Sequence, residues 1–174
     1  MVNEKLFSVI SWEVYGSDDN KLLGMASVDL SELTFLTTEL KGAGMLGSFE
    51  VPVRAQLENT QLTLHFHSLS EHATRFLNTN AQSLVLYAAN ERYEAADGTR
   101  QAAQLRVAVR GLTASVNLGK VETGEQADAE VVINVDRLTI EEDGKELFAF
   151  DRFNNVYRVN GVNLLEDINR ALGY

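Results

Sequence analysis

The segments QAAQLRVAVRGLTASVNL (residues 101–118) and DAEVVINVDRLTIE (residues 128–141) decide the fold class. Both alternate apolar and polar residues with a period of two, the signature of a strand with one buried face. In the first, Leu105, Val107 and Val109 lie on one face, and after Gly111 the apolar set moves to Leu112, Ala114, Val116 and Leu118. In the second, Val131, Ile133 and Val135 give way to Leu138 and Ile140 beyond Asp136-Arg137. A change of parity inside one strand needs an extra residue, so a bulge is expected at Gly111 and a second bend at Asp136-Arg137. With segment 83–94, these strands far exceed the usual length of about five or six residues. Long curved strands of this kind predict a mainly β (α+β) domain, a sandwich or barrel-like body.

The flanking segments fit that frame. Glu142-Asp143-Gly144-Lys145 reads as a tight hairpin turn into Leu147-Phe148-Ala149-Phe150, because Asp-Gly supplies the positive φ such turns demand. A short strand follows near 156–159. Leu62, Leu64 and Phe66 alternate with Gln61, Thr63 and His65 as another half-buried strand. Ser70 then opens a short helix with Ala73, Phe76 and Leu77 on one face and Glu71 in its first turn. Trp12-Glu13-Val14-Tyr15, the polar turn 16–20 and the segment 22–29 read as a hairpin. At the other end, Asn163 is expected to cap a helix with Glu166 as its capping-box partner and Gly173 as its stop, and Leu164, Leu165, Ile168 and Leu172 form its apolar stripe.

The chain of 174 residues, 45% apolar with a single proline, Pro52, has no linker-like stretch, so one domain over 1–174 is expected. It would carry an extended N-terminal segment and a glycine-rich contact loop at 41–53. There are no cysteines, which excludes disulfides, thiolate metal sites and thiol nucleophiles. A net charge of −10 argues against recognition of nucleic-acid phosphates, which relies on Lys and Arg, and suits a surface past which DNA slides. The start, Met1-Val2-Asn3-Glu4-Lys5-Leu6-Phe7, is unlike a secretory signal and no stretch is apolar enough to span a bilayer, so a soluble chain made in the cytoplasm is expected.

No catalytic constellation stands out. His65 and His67 project from one strand face and, with Glu71, spell H-x-H-x-x-x-E, as in the first half of the cupin metal motif. The cupin glycine spacing is missing and no histidine follows His72, so the string reads as two polar residues on an amphipathic strand. A serine elbow is absent, since Gly47-Ser48 lacks the pattern. Glu141-Glu142 and Asp18-Asp19 are adjacent, turn-located carboxylates that read as solvated charge. Gly42, Gly44 and Gly47 lack the Gly-Lys-Ser/Thr of a phosphate loop. No enzyme, metal or cofactor is expected. What remains is Lys41-Gly42-Ala43-Gly44-Met45-Leu46-Gly47-Ser48-Phe49, a glycine-rich stretch carrying three large apolar residues, either folded back on its own core or inserted between subunits.

Three blocks, taken in order, resemble the major tail tube protein family of contractile-tailed bacteriophages, which also serves contractile bacteriocins. They are the segment 22–30 followed by Leu33-Thr34-Phe35; the block Lys41 to Gly47; and the ending with Asp143-Gly144-Lys145-Glu146-Leu147, Phe150-Asp151-Arg152-Phe153-Asn154-Asn155, Val159-Asn160-Gly161-Val162-Asn163 and Ala171-Leu172-Gly173. The family's aspartate at the last helix cap is Asn163 here, which caps equally well. The resemblance implies a sandwich or barrel-like subunit forming hexameric rings that stack into a tube inside a contractile sheath, located in the virion tail and assembled in the host cytoplasm. Its partners would be further copies of itself and the sheath, tape-measure, baseplate and tail-terminator proteins, with DNA passing through the lumen without specific binding and no membrane involved. A type VI secretion tube is a related alternative, and a metal-binding cupin-like domain is the alternative of another class. On this reading Gly42, Gly44, Met45, Leu46, Gly47 and Phe49 form the contact between rings, and Glu122, Glu130 and Asp136 are candidate lumen acids.

Overall fold

A computed structural model of the chain describes residues 4–16, 21–22, 24–95 and 97–173, with side chains from residue 8 onward. In chain order the elements are β1 (Glu4–Tyr15), β2 (Met25–Leu30), β3 (Phe35–Leu40), β4 (Phe49–Leu57), β5 (Gln61–Phe66), α1 (Glu71–Thr74), β6 (Gln82–Glu94), β7 (Arg100–Asn117), β8 (Ala129–Glu142), β9 (Lys145–Asp151), β10 (Val156–Val159), β11 (Val162–Asn163) and α2 (Glu166–Leu172). The mainly β class with two short helices, one C-terminal, is as the strand patterns require.

Strand β8 organises the body. Along one edge it pairs antiparallel with β7, from Leu105↔Glu142 to Asn117↔Glu130. Along the other, its first half pairs with β5 and its second half with β9. Two layers therefore diverge from one strand: β2-β5-β8-β7, and β1-β6-β7-β8-β9-β10-β11. Leu62, Leu64, Val131 and Ile133 from the first meet Val14, Leu84, Val107 and Val109 from the second in one buried cluster. Phe76, just beyond α1, stacks 6.3 Å from Phe66 in that cluster.

The layers diverge at the bends anticipated at Gly111 and Asp136-Arg137, which prove to be two sides of one bulge. Arg110 opposes Arg137 and Gly111 opposes Val135, so Asp136 is the extra residue. Gly111 is obligatory because a Cβ there would lie 2.2 Å from the carbonyl oxygen of Asn134. The parity switch on β7 falls later than the sequence places it, at a second irregularity between Thr113 and Ser115 that sets Ala114 out of register. Leu112 therefore shares a face with Asn134 and is exposed, whereas Val116, opposite Val131, packs on the core.

Local turn chemistry is realised at the β8–β9 hairpin, where Asp143 and Gly144 have φ of 47° and 78° and the Asp143 carboxylate accepts the Gln104 N–H at 2.8 Å. Three expectations need correction. Strands β1 and β2 do not form a hairpin: β1 pairs with β6 and β2 with β5, and among the described residues between them a Tyr15↔Lys21 bridge is formed. Residues 17–20 of the expected turn, including Asp18-Asp19, lie outside the described residues. Helix α2 starts at Glu166 rather than after Asn163, because Asn163 pairs with Arg158 in β11 and its side chain accepts the N–H of Leu165. Gly173 does end it, at φ 85°. The expected stripe is narrower than drawn, since Leu164 and Leu172 are exposed, as is Leu77 beyond α1.

Candidate assembly surfaces

The glycine-rich stretch sits at the tip of an arm. Among the described residues, strands β3 and β4 pair only with each other, from Phe35↔Leu57 to Leu40↔Phe49, as a two-stranded sheet separate from the body. Residues 41–48 join them, with Gly44 and Gly47 at φ 91° and 94°, where other residues are strained. The contact segment expected over 41–53 is thus a turn plus the first residues of β4. Its apolar side chains find no core: Leu46 is fully exposed and Phe49 is 63% exposed, and Phe35, Leu36, Leu40, Met45 and Val53 are exposed as well. An isolated hairpin is marginally stable in water, and a large exposed apolar patch marks a contact surface.

The root of the arm is clamped by Arg152. Its guanidinium donates to the carbonyls of Leu57 (2.9 Å), Glu58 and Val135 (3.2 Å) and to Thr60 Oγ1 (3.1 Å), and it lies over the Phe150 ring. Beside it, the buried Asp151 carboxylate accepts from Arg137 Nε (2.7 Å), Asn154 Nδ2 (2.8 Å) and the N–H groups of Phe153 and Asn154. Burial opposes the charge of Asp151, but these donors outweigh it and hold the carboxyl below its ordinary value. A lowered folded-state pKa gives stability that is complete above the unfolded value and lost as pH falls through the folded one. Asp151→Asn should therefore destabilise by about 2 kcal/mol near pH 7 and flatten the acid limb of a denaturation profile, as urea melts from pH 7 to 2 would measure.

A second surface is the outward face of the four-stranded layer. His65 Nε2 is 3.0 Å from Asp29 Oδ2 on β2, and its Nδ1 is 3.8 Å from Glu130 Oε2 on β8. His67 turns elsewhere, its Nδ1 2.6 Å from Gln126 Oε1, and Glu71 lies on α1, so the H-x-H-x-x-x-E string is not gathered. Among the described residues no group of His, Asp and Glu is arranged to hold a metal ion.

The three acids singled out in sequence are not brought together. Glu130 is on this face, Asp136 is the bulged residue with one buried carboxylate oxygen lacking a partner, and Glu122 lies in the β7–β8 loop beside Lys120. Several other acids between 122 and 151 are matched by bases across strands: Glu141 by Arg106, Glu142 by Arg92, Glu146 by Arg158.

Sequence reasoning missed the arm as a paired ribbon and missed the Arg152 clamp. The signal for β4 was present, since Phe49, Val51, Val53, Ala55 and Leu57 alternate strictly, interrupted in chemistry only by Pro52. Nothing local in sequence marks Arg152, whose acceptors lie 17 to 95 residues away.

This architecture has relatives. The family described as phage tail tube protein FII matches residues 8–173. The tail tube protein of Escherichia phage P2 is 28% identical over 150 residues, covering 84% of this chain and 86% of that protein. Among solved structures, the sheath/tube terminator of an extracellular contractile injection system, PVC, superposes with a TM-score of 0.55 at 16% identity, over 78% of this chain and 96% of that one. A chain of the PVC sheath-tube complex in its extended state gives 0.52 at 16% identity, over 75% and 87%. These likenesses at low identity establish a shared fold, and the match over 8–173 establishes more: the chain belongs to the phage tail tube protein FII family.

Proposed function

We propose that this tail tube protein closes into hexameric rings that stack, through the β3–β4 arm, into a hollow conduit for DNA or tape-measure protein inside a contractile sheath. The observation that carries the reading is the arm: a ribbon with its apolar side chains in solvent is stable only where a neighbouring copy covers them. Gly44 and Gly47, both at positive φ, let the tip turn, Gly42 stands at its start, and Met45, Leu46 and Phe49 are the anchors between rings.

Ring closure follows from strand arithmetic. In the layer β2-β5-β8-β7 every neighbour is antiparallel, so its two outer strands run in opposite directions. Strand β2 pairs only with β5, and residues 112–117 of β7 extend past the last β6 pair at Gln82↔Gly111, so both outer edges are open among the described residues. An even number of antiparallel strands repeats head to tail without breaking the alternation, which suits a closed ring and leaves no edge exposed. In the seven-strand layer the outer strands point the same way, and β11 has two residues.

On this reading the outward face of the four-stranded layer lines the lumen, with Asp29 and Glu130 supplying acid, Asp136 at its margin and Glu122 in the loop beyond. Acid there keeps phosphates sliding rather than bound. The subunit acts by shape, without catalysis, in the virion tail after assembly in the host cytoplasm, and meets sheath, baseplate, tape-measure and tail-terminator proteins. Amide hydrogen exchange tests the seam: the alternate amides of residues 25–30 and 112–117 that point away from β5 and β8 should exchange readily in the monomer and be protected at least about tenfold in assembled protein. Equal exchange in both states would remove the seam from those edges.

A further inference from the structure

The ribbon does not leave its root as a regular hairpin. Between the pairs Phe35↔Leu57 and Thr37↔Pro52, β3 spends one residue, Leu36, where β4 spends four, 53–56. Within that bulge Ala55 takes a left-handed φ of 56°, a conformation alanine adopts only when its surroundings impose it. Beneath it lies a cavity of about 250 Å³ lined in part by Ala55, Leu57, Asp151, Arg152, Tyr157 and Leu165, so the bulge arches over open space. Below the bulge the chain is fixed by the Arg152 clamp, and above it the ribbon pairs, among the described residues, only within its own ladder. The bulge itself is tied to the body by Arg54, whose Nη2 is 3.0 Å from Asp167 Oδ2 in the first turn of α2. Both side chains are exposed.

We propose that segment 53–56 is the hinge of the arm and that the Arg54–Asp167 ion pair sets its direction, making α2 a positioning element for ring stacking. This rests on the reading of the arm as the contact between rings. The clamp fixes where the ribbon starts, the bulge lets it turn, and the ion pair selects one angle. An arm that must meet a neighbour at a fixed height gains from being held at that angle beforehand, because the ordering cost is then not charged to each docking event. An exposed pair is worth little within one subunit, yet the same bias acts at every arm of every ring.

The chain has no cysteine, so spin labels can be placed at will. Labels at Ser48→Cys, on the arm tip, and Asn78→Cys, on the body, report the arm angle in the monomer by pulsed electron spin resonance. Arg54→Glu and Asp167→Arg are each expected to shift or broaden the distance distribution with the melting curve unchanged, and the doubly swapped chain should restore it. In assembly, each single variant should raise the critical concentration about three- to fivefold at low salt, as an exposed pair allows, with recovery in the swapped pair. Unchanged distances in the single variants, or no recovery in the swapped pair, would overturn the proposal. If the unaltered protein does not assemble, the stacking reading fails, and the monomer distances still decide the hinge.

Discussion

Replacing Met45 and Leu46 together by aspartate should abolish tubes and leave the subunit folded. Both side chains stand in solvent at the arm tip, so neither contributes to the core and the melting temperature should hold. In a stacked ring each would be covered by a neighbour. Loss of that burial removes about 1.5–3 kcal/mol per side chain, and placing two carboxylates in the contact adds a desolvation cost. Summed over two residues, the association constant at each arm should fall by at least about a hundredfold. Sedimentation velocity of the purified variant, beside the unaltered protein, would show monomers or isolated rings. Full-length tubes from the double variant would refute the tip as the stacking anchor.

Gly111→Ala should have the largest effect on the fold itself. The added Cβ would meet Asn134 O at 2.2 Å and Ile133 Cγ2 at 2.8 Å, inside the β7–β8 pair that holds the two layers together. Backbone cannot yield as a flexible side chain can, so the strands must separate or the bulge must reform, at a cost of about 3 kcal/mol or more. Urea denaturation followed by far-ultraviolet circular dichroism would measure it. Gly42→Ala is the matching control: no heavy atom lies within 4 Å of its Cβ and its φ is not positive, so unfolding should be nearly unchanged.

The features legible in sequence were those fixed by neighbouring residues. The alternation along 101–118 and 128–141, and the positive-φ pair Asp143-Gly144, depend on pleat geometry and on turn chemistry over two to four residues. The β1–β2 hairpin failed because Trp12 and Val14 are drawn to Ala88 and Leu86 on β6, a pairing that local pattern cannot reveal. The α2 cap failed for a similar reason: Asn163 is recruited to β11 by Arg158, which leaves Leu165 at the cap position. In the arm, the stretch 41–49 could be weighed as a contact because large apolar residues between glycines have no local use. Its ribbon form was obscured by Pro52 and by the lack of any core for β3 to face. The charged surface was least legible, since partners such as Arg106 for Glu141 meet only across strands.

Electron microscopy of the purified protein in negative stain, across a concentration series, tests the central claim most directly. The account predicts rings and long hollow tubes with a regular axial repeat, appearing above a threshold concentration. Dispersed monomers at the highest concentration, with sheath and baseplate proteins added, would contradict it.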